Sequence, residues 1–503
     1  METALVVLYF AVLLLLCGYG VHRAHLVLLV ARNRRRLERA VRTPEIDGEL
    51  PSVTVQLPLY NEATVVARLL EAAATLDYPR DRLEIQVLDD SSDETRTIAE
   101  AKVAELRRRG LDMVYIRRPN RVGYKAGALD YGLSRAKGQL IAIFDADFIP
   151  QPDFLRAVVG HFQNENVGMV QTRWGHLNRN HSLLTSIQAL MLDGHHLVEN
   201  RARFGAGLMF NFSGTGGIWR RDAIQAAGGW QHDTLTEDLD LSYRAQLAGW
   251  RFVYRPDVIT PAELPEDMSA FRAQQFRWAK GTVQTARKLM RRVAASQLTV
   301  AQRLEAFFHL TPHFAYPLMM LLSVLLLPAL ILMPATDPRM MLIVDLPLCL
   351  GATGSLATFY IMAERAQGRS AWLAVRRLPM LIALGAGLAP HLSRAVYEGL
   401  NSMAGEFVRT PKKGIIAGRY RQHAELPLLE IGLALLSAAS VVASLETGHW
   451  FAAPFASLFT LGYGYVAWLV VAEQVAVRRA VLARASTPPD AEAAETPALP
   501  RAA

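Results

Sequence analysis

Apolar runs of bilayer length constrain this chain more than any other feature. A hydrocarbon core about 30 Å thick needs roughly 20 mostly apolar residues per helix, and residues 4–21, 311–334, 340–363, 426–445 and 451–472 each meet that need. The first run has no basic stretch ahead of it and no small-residue cleavage site behind it. Its basic cluster, Arg32, Arg34, Arg35, Arg36 and Arg39, follows instead, so a retained anchor over residues 1–30 is expected rather than a signal peptide. A further apolar run, 378–392, is shorter and holds Pro379, Gly385, Gly387 and Pro390; an interfacial or re-entrant helix is expected there.

Lysine and arginine accumulate on the cytoplasmic side of membrane spans. With the N-terminus outside, residues 31–310 are cytoplasmic, 335–339 form a short outer turn, and 364–377, with Arg365, Arg369, Arg376 and Arg377, return inside. The next basic stretch, Arg409, Lys412, Lys413, Arg419 and Arg421, belongs inside as well, which leaves no crossing for 378–392. Five spans then satisfy the charge rule, in a plasma (inner) membrane with the C-terminus cytoplasmic. The net charge is 54 − 46 = +8. Because the basic residues sit beside spans, that charge points to a lipid bilayer and not to nucleic acid. Cys17 and Cys349 both lie in apolar runs, which excludes a disulfide scaffold and a cysteine-based zinc site. Residues 486–503, rich in Pro, Ala and Glu, read as a disordered tail, and no internal repeat is visible.

Residues 50–290 form an ordinary mixed chain that alternates strand and helix. A β-branched strand at 53–57 ends at Pro58, and 62–76 carries apolar residues at helical spacing. A second strand, 85–88, stops at Asp89 and Asp90. Ser91 and Glu94 then carry a capping-box signature for a helix that runs to Gly110. A strand at 113–116, a helix at 124–136 and a strand at 140–144 complete a β-α-β-α order, which implies a parallel sheet with helices on both faces. In such sheets ligands bind outside the carboxyl ends of strands, where this chain places mostly aspartates.

Asp89 and Asp90 serve a turn and a positive helix end as well as they serve a ligand. Asp145 and Asp147, at i and i+2 after the fourth strand, can direct both carboxylates toward one oxygen-ligated cation, Mg or Mn, shared with substrate phosphates. Neither G-x-x-x-x-G-K-[ST] nor G-x-G-x-x-G occurs between strand and helix, so ATPase and dehydrogenase readings have no phosphate loop. Residues 236–240, TEDLD, open a helix that ends near Gly249. An N-cap threonine with acidic residues in the first turn accounts for Glu237. Asp238 is the candidate general base, a carboxylate near a diphosphate site that accepts a proton from a sugar hydroxyl.

Gln274, Arg277 and Trp278 fall at i, i+3 and i+4 and share one helix face. Alone that is a surface packing cluster. Beside a nucleotide sugar, Trp278 offers an apolar face to a sugar ring and Arg277 a bidentate ligand to a diphosphate. FSGTGGIWRR at 212–221, with Gly214 and Thr215, is either a turn or a close backbone approach to a sugar. His161, His176, His181, His195, His196 and His232 follow no metal-ligand spacing, and none is assigned as a ligand.

Six segments in order are far more specific than any one of them: LPLYNE at 57–62, VLDDSSD at 87–93, GYKAGAL at 123–129, FDADF at 144–148, TEDLDL at 236–241 and QQFRW at 274–278. The set resembles the family 2 processive β-glycosyltransferases, the group of cellulose, hyaluronan and chitin synthases. In wording it is similar to the cellulose-synthase-like A group, the glucomannan 4-β-mannosyltransferases, and their bacterial relatives. The resemblance implies a GT-A-type α/β nucleotide-sugar-binding domain with a mostly parallel sheet, embedded in an α-helical transmembrane framework. It implies that Tyr60, Glu62, Asp89, Asp90, Lys125, Asp145 and Arg277 bind the donor, with the choice between Asp89 and Asp90 open. It further implies that Asp145 and Asp147 hold a divalent cation, Mg or Mn, that Asp238 is the catalytic base, and that Gln274, Trp278, Gly214 and Thr215 face the acceptor. FVRTPKKG at 407–414 resembles a gating loop that closes over the donor; a plain basic cytoplasmic loop is the alternative. With so little chain after the last span, no appended c-di-GMP-binding domain is expected.

The function this implies is an inverting transfer of hexose from GDP-mannose, GDP-glucose or UDP-glucose to a growing β-linked mannan, glucomannan or glucan, which residues 311–475 translocate. The plant-like wording favours GDP-mannose. Two alternatives stand beside it: a non-processive transferase acting on a glycolipid acceptor, and a non-catalytic subunit of a polysaccharide exporter.

Overall fold

A computed structural model describes residues 2–40, 42–46, 48–333, 353–403, 405 and 426–485. The segments 407–414 and 486–503, and much of 340–363, lie outside the described residues. The chain opens with α1 (Glu2–Arg32). It continues through β1 (Val53–Leu59), α2 (Val66–Ala74), β2 (Leu83–Asp89), α3 (Thr95–Arg108), β3 (Met113–Ile116), α4 (Tyr124–Leu133) and β4 (Leu140–Ile143). Next come β5 (Val167–His176), α5 (Leu183–Gly194), β6 (Gly217–Arg220), α6 (Glu237–Leu247), β7 (Arg251–Ala262) and α7 (Met268–Ala295). The principal helices after these are α8 (Ala315–Leu332), α9 (Ala371–Asn401), α10 (Leu428–Glu446) and α11 (Ala452–Ala485).

The seven strands form one sheet in the order β3-β2-β1-β4-β6-β5-β7. The β3-β2-β1-β4 part is parallel, as β-α-β-α alternation requires, with Val53 opposite Leu83 and Leu140. β6 runs antiparallel to both neighbours, while β5 and β7 are parallel to each other, so the sheet is mostly parallel. Every residue of β2 and β4 is buried, the signature of strands covered on both faces. Alternate side chains feed two cores. Leu140 and Ala142 join Val55, Leu69 and Phe154 on one face, while Ile141 and Ile143 join Leu129, Trp219 and Tyr254 on the other. Burying each such aliphatic side chain contributes roughly 1.5–3 kcal/mol. The polar residues within the buried strands pair sideways: Thr54 Oγ1 donates to Glu84 at 2.7 Å, and Gln56 Nε2 to Gln86 Oε1 at 3.1 Å.

Two local expectations are corrected. The helix expected over 62–76 begins at Val66, because Asn61 takes a positive φ of 54° and the chain turns before it coils. The capping box at Ser91 and Glu94 does not form. Ser91 Oγ instead accepts from Asn61 N at 2.8 Å, and Asp93 Oδ1 accepts from Thr95 N at 3.0 Å where α3 begins. Ser91 is drawn away by the loop that follows β1.

Among the described residues five helices are long and apolar enough to cross a bilayer: Glu2–Arg32, Pro312–Leu332, Ala371–Asn401, Leu428–Glu446 and Ala452–Ala476. Four coincide with expected spans. The short helix expected at 378–392 is instead the middle of α9, 31 residues long with both prolines inside it. Gly387 does not break this helix. A Cβ there would stand 2.2 Å from the carbonyl oxygen of Gly462, so the glycines let the α9 and α11 backbones touch. Both ends of α9 meet the sheet domain. Ala374 and Leu378 share a core with Leu184, Ile187 and Leu190 of α5, and Glu398 pairs with Lys280 of α7 at 2.9 Å. At the start of α7, Met268 N and Ser269 N donate to the Glu473 carboxylate of α11 at 2.5 and 3.1 Å, satisfying amides that a helix start leaves open.

Candidate active site

The carboxyl ends of β1, β2, β4 and β5 open into one cleft, roofed by the first turns of α4 and α6 and one face of α7. β4 ends at Ile143, and Asp145 follows with its N–H donating to Thr215 Oγ1 at 2.9 Å. Lys125, in the first turn of α4, reaches across to Asp145 Oδ1 at 2.5 Å and donates to the carbonyl oxygen of Gly214 at 3.0 Å. Asp147 lines the same floor.

Asp238 opens α6 beside that floor. Gly214 has a φ of +84°, and a Cβ there would stand 2.9 Å from Asp238 Oδ2, so only glycine allows the loop and the carboxylate to meet. Leu239 N donates to Asp238 Oδ1 at 2.8 Å. Burial, with Glu237 beside it, pushes Asp238 up to about 7 against the pull of Lys125. Burial also raises Glu237. For Lys125, burial acts downward, but Asp145, Glu237 and Asp238 together outweigh it and hold the ammonium above its usual value. Burial lowers Arg277 although four carboxylates, Glu237, Asp145, Asp238 and Asp147, all favour its charge. Gln274, Arg277 and Trp278 line the cleft from a single face of α7, as their spacing predicts.

At the far end stand Tyr60, Glu62 and Asp90. Arg118 Nε donates to Asp90 Oδ1 at 3.0 Å, and the Arg121 guanidinium lies 3.3 Å from the centre of the Tyr60 ring. Asp89 does not reach the cleft. It is 1% exposed, with Oδ2 accepting from Tyr115 Oη at 2.5 Å and Oδ1 from Ser91 N at 2.8 Å. The geometry therefore separates the pair: Asp90 faces the cleft and Asp89 braces the strand end. Thr215 also falls short of it. At 1% exposed, it orients Asp145 and does not line the opening.

Among the described residues no three His, Cys, Asp or Glu side chains converge on a metal. Asp145 and Asp147 offer hard oxygen donors on one wall, a set that suits a small divalent cation whose remaining ligands are water and phosphate oxygens.

A family model described as Glycosyltransferase like family 2 matches residues 51–281. Glucomannan 4-beta-mannosyltransferase 2 of Arabidopsis thaliana is 43% identical over 255 residues, 50% of this chain and 48% of that one. Probable glucomannan 4-beta-mannosyltransferase 4 of Oryza sativa subsp. japonica is 35% identical over 391 residues, 76% of this chain and 68% of that one. The chain belongs to glycosyltransferase family 2. Its match spans about half the length of the Arabidopsis relative. A solved mannosyltransferase, PcManGT from Pyrobaculum calidifontis in complex with GDP-Man and Mn2+, is 23% identical with a TM-score of 0.47, covering 71% of this chain and 97% of that one.

In this family 2 glycosyltransferase the cleft opens at the carboxyl ends of a mostly parallel sheet. Sequence reasoning missed four side chains that line or frame the cleft: Arg118 and Arg121 beside Tyr60 and Asp90, and Trp174 and His176 at the end of β5. The last two follow the same carboxyl-end rule as the aspartates. Their signal was a strand ending in aromatic residues rather than acids.

Proposed function

We propose that this chain is a membrane-embedded, inverting hexosyltransferase that extends a β-linked polysaccharide, mannan or glucomannan, from a nucleotide-sugar donor such as GDP-mannose. The observation that carries this reading is Asp238 facing Lys125 and Asp145 across one cleft, with Arg277 and Trp278 on the opposite helix. Tyr60, Glu62 and Asp90 hold the nucleotide; Lys125 and Arg277 neutralise the diphosphate. Trp278 and Gln274 hold the acceptor with its hydroxyl at Asp238. That carboxylate takes the hydroxyl proton as the oxygen attacks the anomeric carbon, and the nucleoside diphosphate leaves from the opposite side of the ring. A cation held by Asp145 and Asp147 would supply Lewis-acid stabilisation of the departing diphosphate.

An N-terminus outside and a cytoplasmic catalytic domain rest on the basic residues that flank the spans. The helices are tied together and to α7 by polar contacts: Tyr19 Oη of α1 donates to the carbonyl oxygen of Thr311 at 2.8 Å, Arg272 pairs with Glu430 at 2.8 Å, and Glu473 meets Met268. Because both ends of α9 contact that domain, we place α9 along the membrane interface beneath it. Residues 311–475 then frame the path for polymer export.

Membranes containing the protein, given a panel of labelled nucleotide sugars with Mg²⁺ or Mn²⁺, should yield a β-linked polymer from GDP-mannose. Short glycolipids as the only product would replace the polymerase reading with single transfer. Absence of transfer from every donor would leave a non-catalytic export subunit.

A further inference from the structure

The cleft has two unlike ends. One holds Tyr60, Asp90 and Arg121; the other is walled by Trp174 and His176 of β5, Leu192 of α5 and Pro265. This second end lies toward the membrane helices. α5 contacts α9, and a Cβ on its last residue, Gly194, would stand 2.4 Å from the Phe359 ring. Trp174 faces Trp278 with ring centroids 6.5 Å apart and planes 50° off parallel, and its Nε1 is tied to the carbonyl oxygen of Thr215 at 3.3 Å. The two indoles are neighbours in one aromatic wall of the cleft.

Behind Trp174 lies a buried polar cluster that the proposed chemistry does not use. His176 Nε2 stands 3.3 Å from Asp193 Oδ1, with side chains 4% and 1% exposed. Arg179 pairs with the other oxygen of Asp193 and lies 3.6 Å from Glu364 of the helical residues 353–365. His176 Nε2 makes no well-formed hydrogen bond, although a buried imidazole ordinarily finds one. Burial, with Arg179, Arg173 and Arg369 nearby, pushes His176 down to about 3, so the ring is neutral and carries one donor and one acceptor nitrogen.

We infer that Trp174 and His176 form an acceptor subsite at the membrane end of the cleft, taking the hexose unit behind the one that reacts. Trp174 covers one face of that sugar. His176, turned by Asp193, presents its second nitrogen to a sugar hydroxyl, and Asp193 acts as a positioning residue. The subsite rests on the glycosyltransferase reading and extends it from the reacting sugar to the unit already added.

The test uses the full chain in nanodiscs, with labelled GDP-mannose as donor and β-1,4-linked manno-oligosaccharides of two to six units as acceptor probes. His176→Ala and Trp174→Ala should each raise the acceptor KM about tenfold, the scale of one lost polar or stacking contact, and shift products to shorter chains. The donor KM should move less than twofold. His176→Gln, which keeps a hydrogen-bonding group, should recover part of the loss, and Asp193→Asn should copy His176→Ala. An acceptor KM unmoved in both alanine variants, or donor and acceptor KM rising together in His176→Gln as well, would overturn the subsite while leaving the transferase reading intact. Absence of transfer by the wild-type protein would overturn that reading itself.

Discussion

Lys125 Nζ lies 2.5 Å from Asp145 Oδ1 and anchors the same nitrogen on the Gly214 carbonyl oxygen at 3.0 Å, so one ammonium joins the floor of the cleft to the loop against Asp238. Its charge is what lets Asp145, Glu237 and Asp238 crowd together. Lys125→Met should cut the rate of transfer by about 10²–10³-fold, as loss of one preorganised electrostatic partner does. It should also lift Asp238 further, because Lys125 is the charge that opposes the rise. The acid limb of the pH–rate profile then moves to higher pH; an unmoved limb would dissociate the two residues.

Asp238→Asn should leave a folded protein that binds donor and transfers about 10²–10⁴-fold more slowly, the usual cost of a lost general base. The wild-type rate should fall as pH drops below about 7, where Asp238 becomes protonated. The stability effect has the opposite sign. Between its ordinary value of 3.8 and about 7, the folded state binds a proton that the unfolded chain does not, so stability declines as pH rises through that window. Thermal unfolding in detergent should show the variant gaining Tm over wild type above pH 7 and losing that advantage near pH 4.

Gly214→Ala probes the contact between loop and carboxylate. The left-handed backbone costs an alanine about 1–2 kcal/mol, and the new methyl falls 2.9 Å from Asp238 Oδ2. The expected result is a modest drop in Tm with a disproportionate fall in kcat. Equal kcat would mean that Asp238 can retreat without loss.

Chelation with EDTA should stop transfer, and Mg²⁺ or Mn²⁺ should restore it. Asp147→Asn should raise the cation concentration needed for half-maximal rate, with little change in thermal stability measured without metal. Undiminished activity after exhaustive chelation would mean that Lys125 and Arg277 neutralise the diphosphate without a cation.

What the sequence made legible follows local rules. The strands expected at 53–57, 85–88, 113–116 and 140–144 announce themselves by β-branched and apolar residues that give way to turn or acidic residues, and Asp90, Asp145 and Asp147 land in the cleft because the carboxyl-end rule is geometric. Gln274, Arg277 and Trp278 converge because 3.6 residues make a turn. Nonlocal relations were hidden. Nothing in DD tells which carboxylate is turned beneath Tyr115, and nothing in GTGG tells that Thr215 lies behind Asp145. Gly387 reads as a breaker because the partner that needs it, Gly462, lies far along the chain.

The bonds from Met268 and Ser269 to Glu473 span 204 residues or more of sequence. The helix that carries Gln274, Arg277 and Trp278 therefore receives its first-turn acceptor only once α11 has been synthesised. A ribosome-bound chain lacking α11 would hold its sheet and its aspartates yet leave that helix start open. The face that carries Gln274, Arg277 and Trp278 would then be fixed in place only when α11 joins the fold.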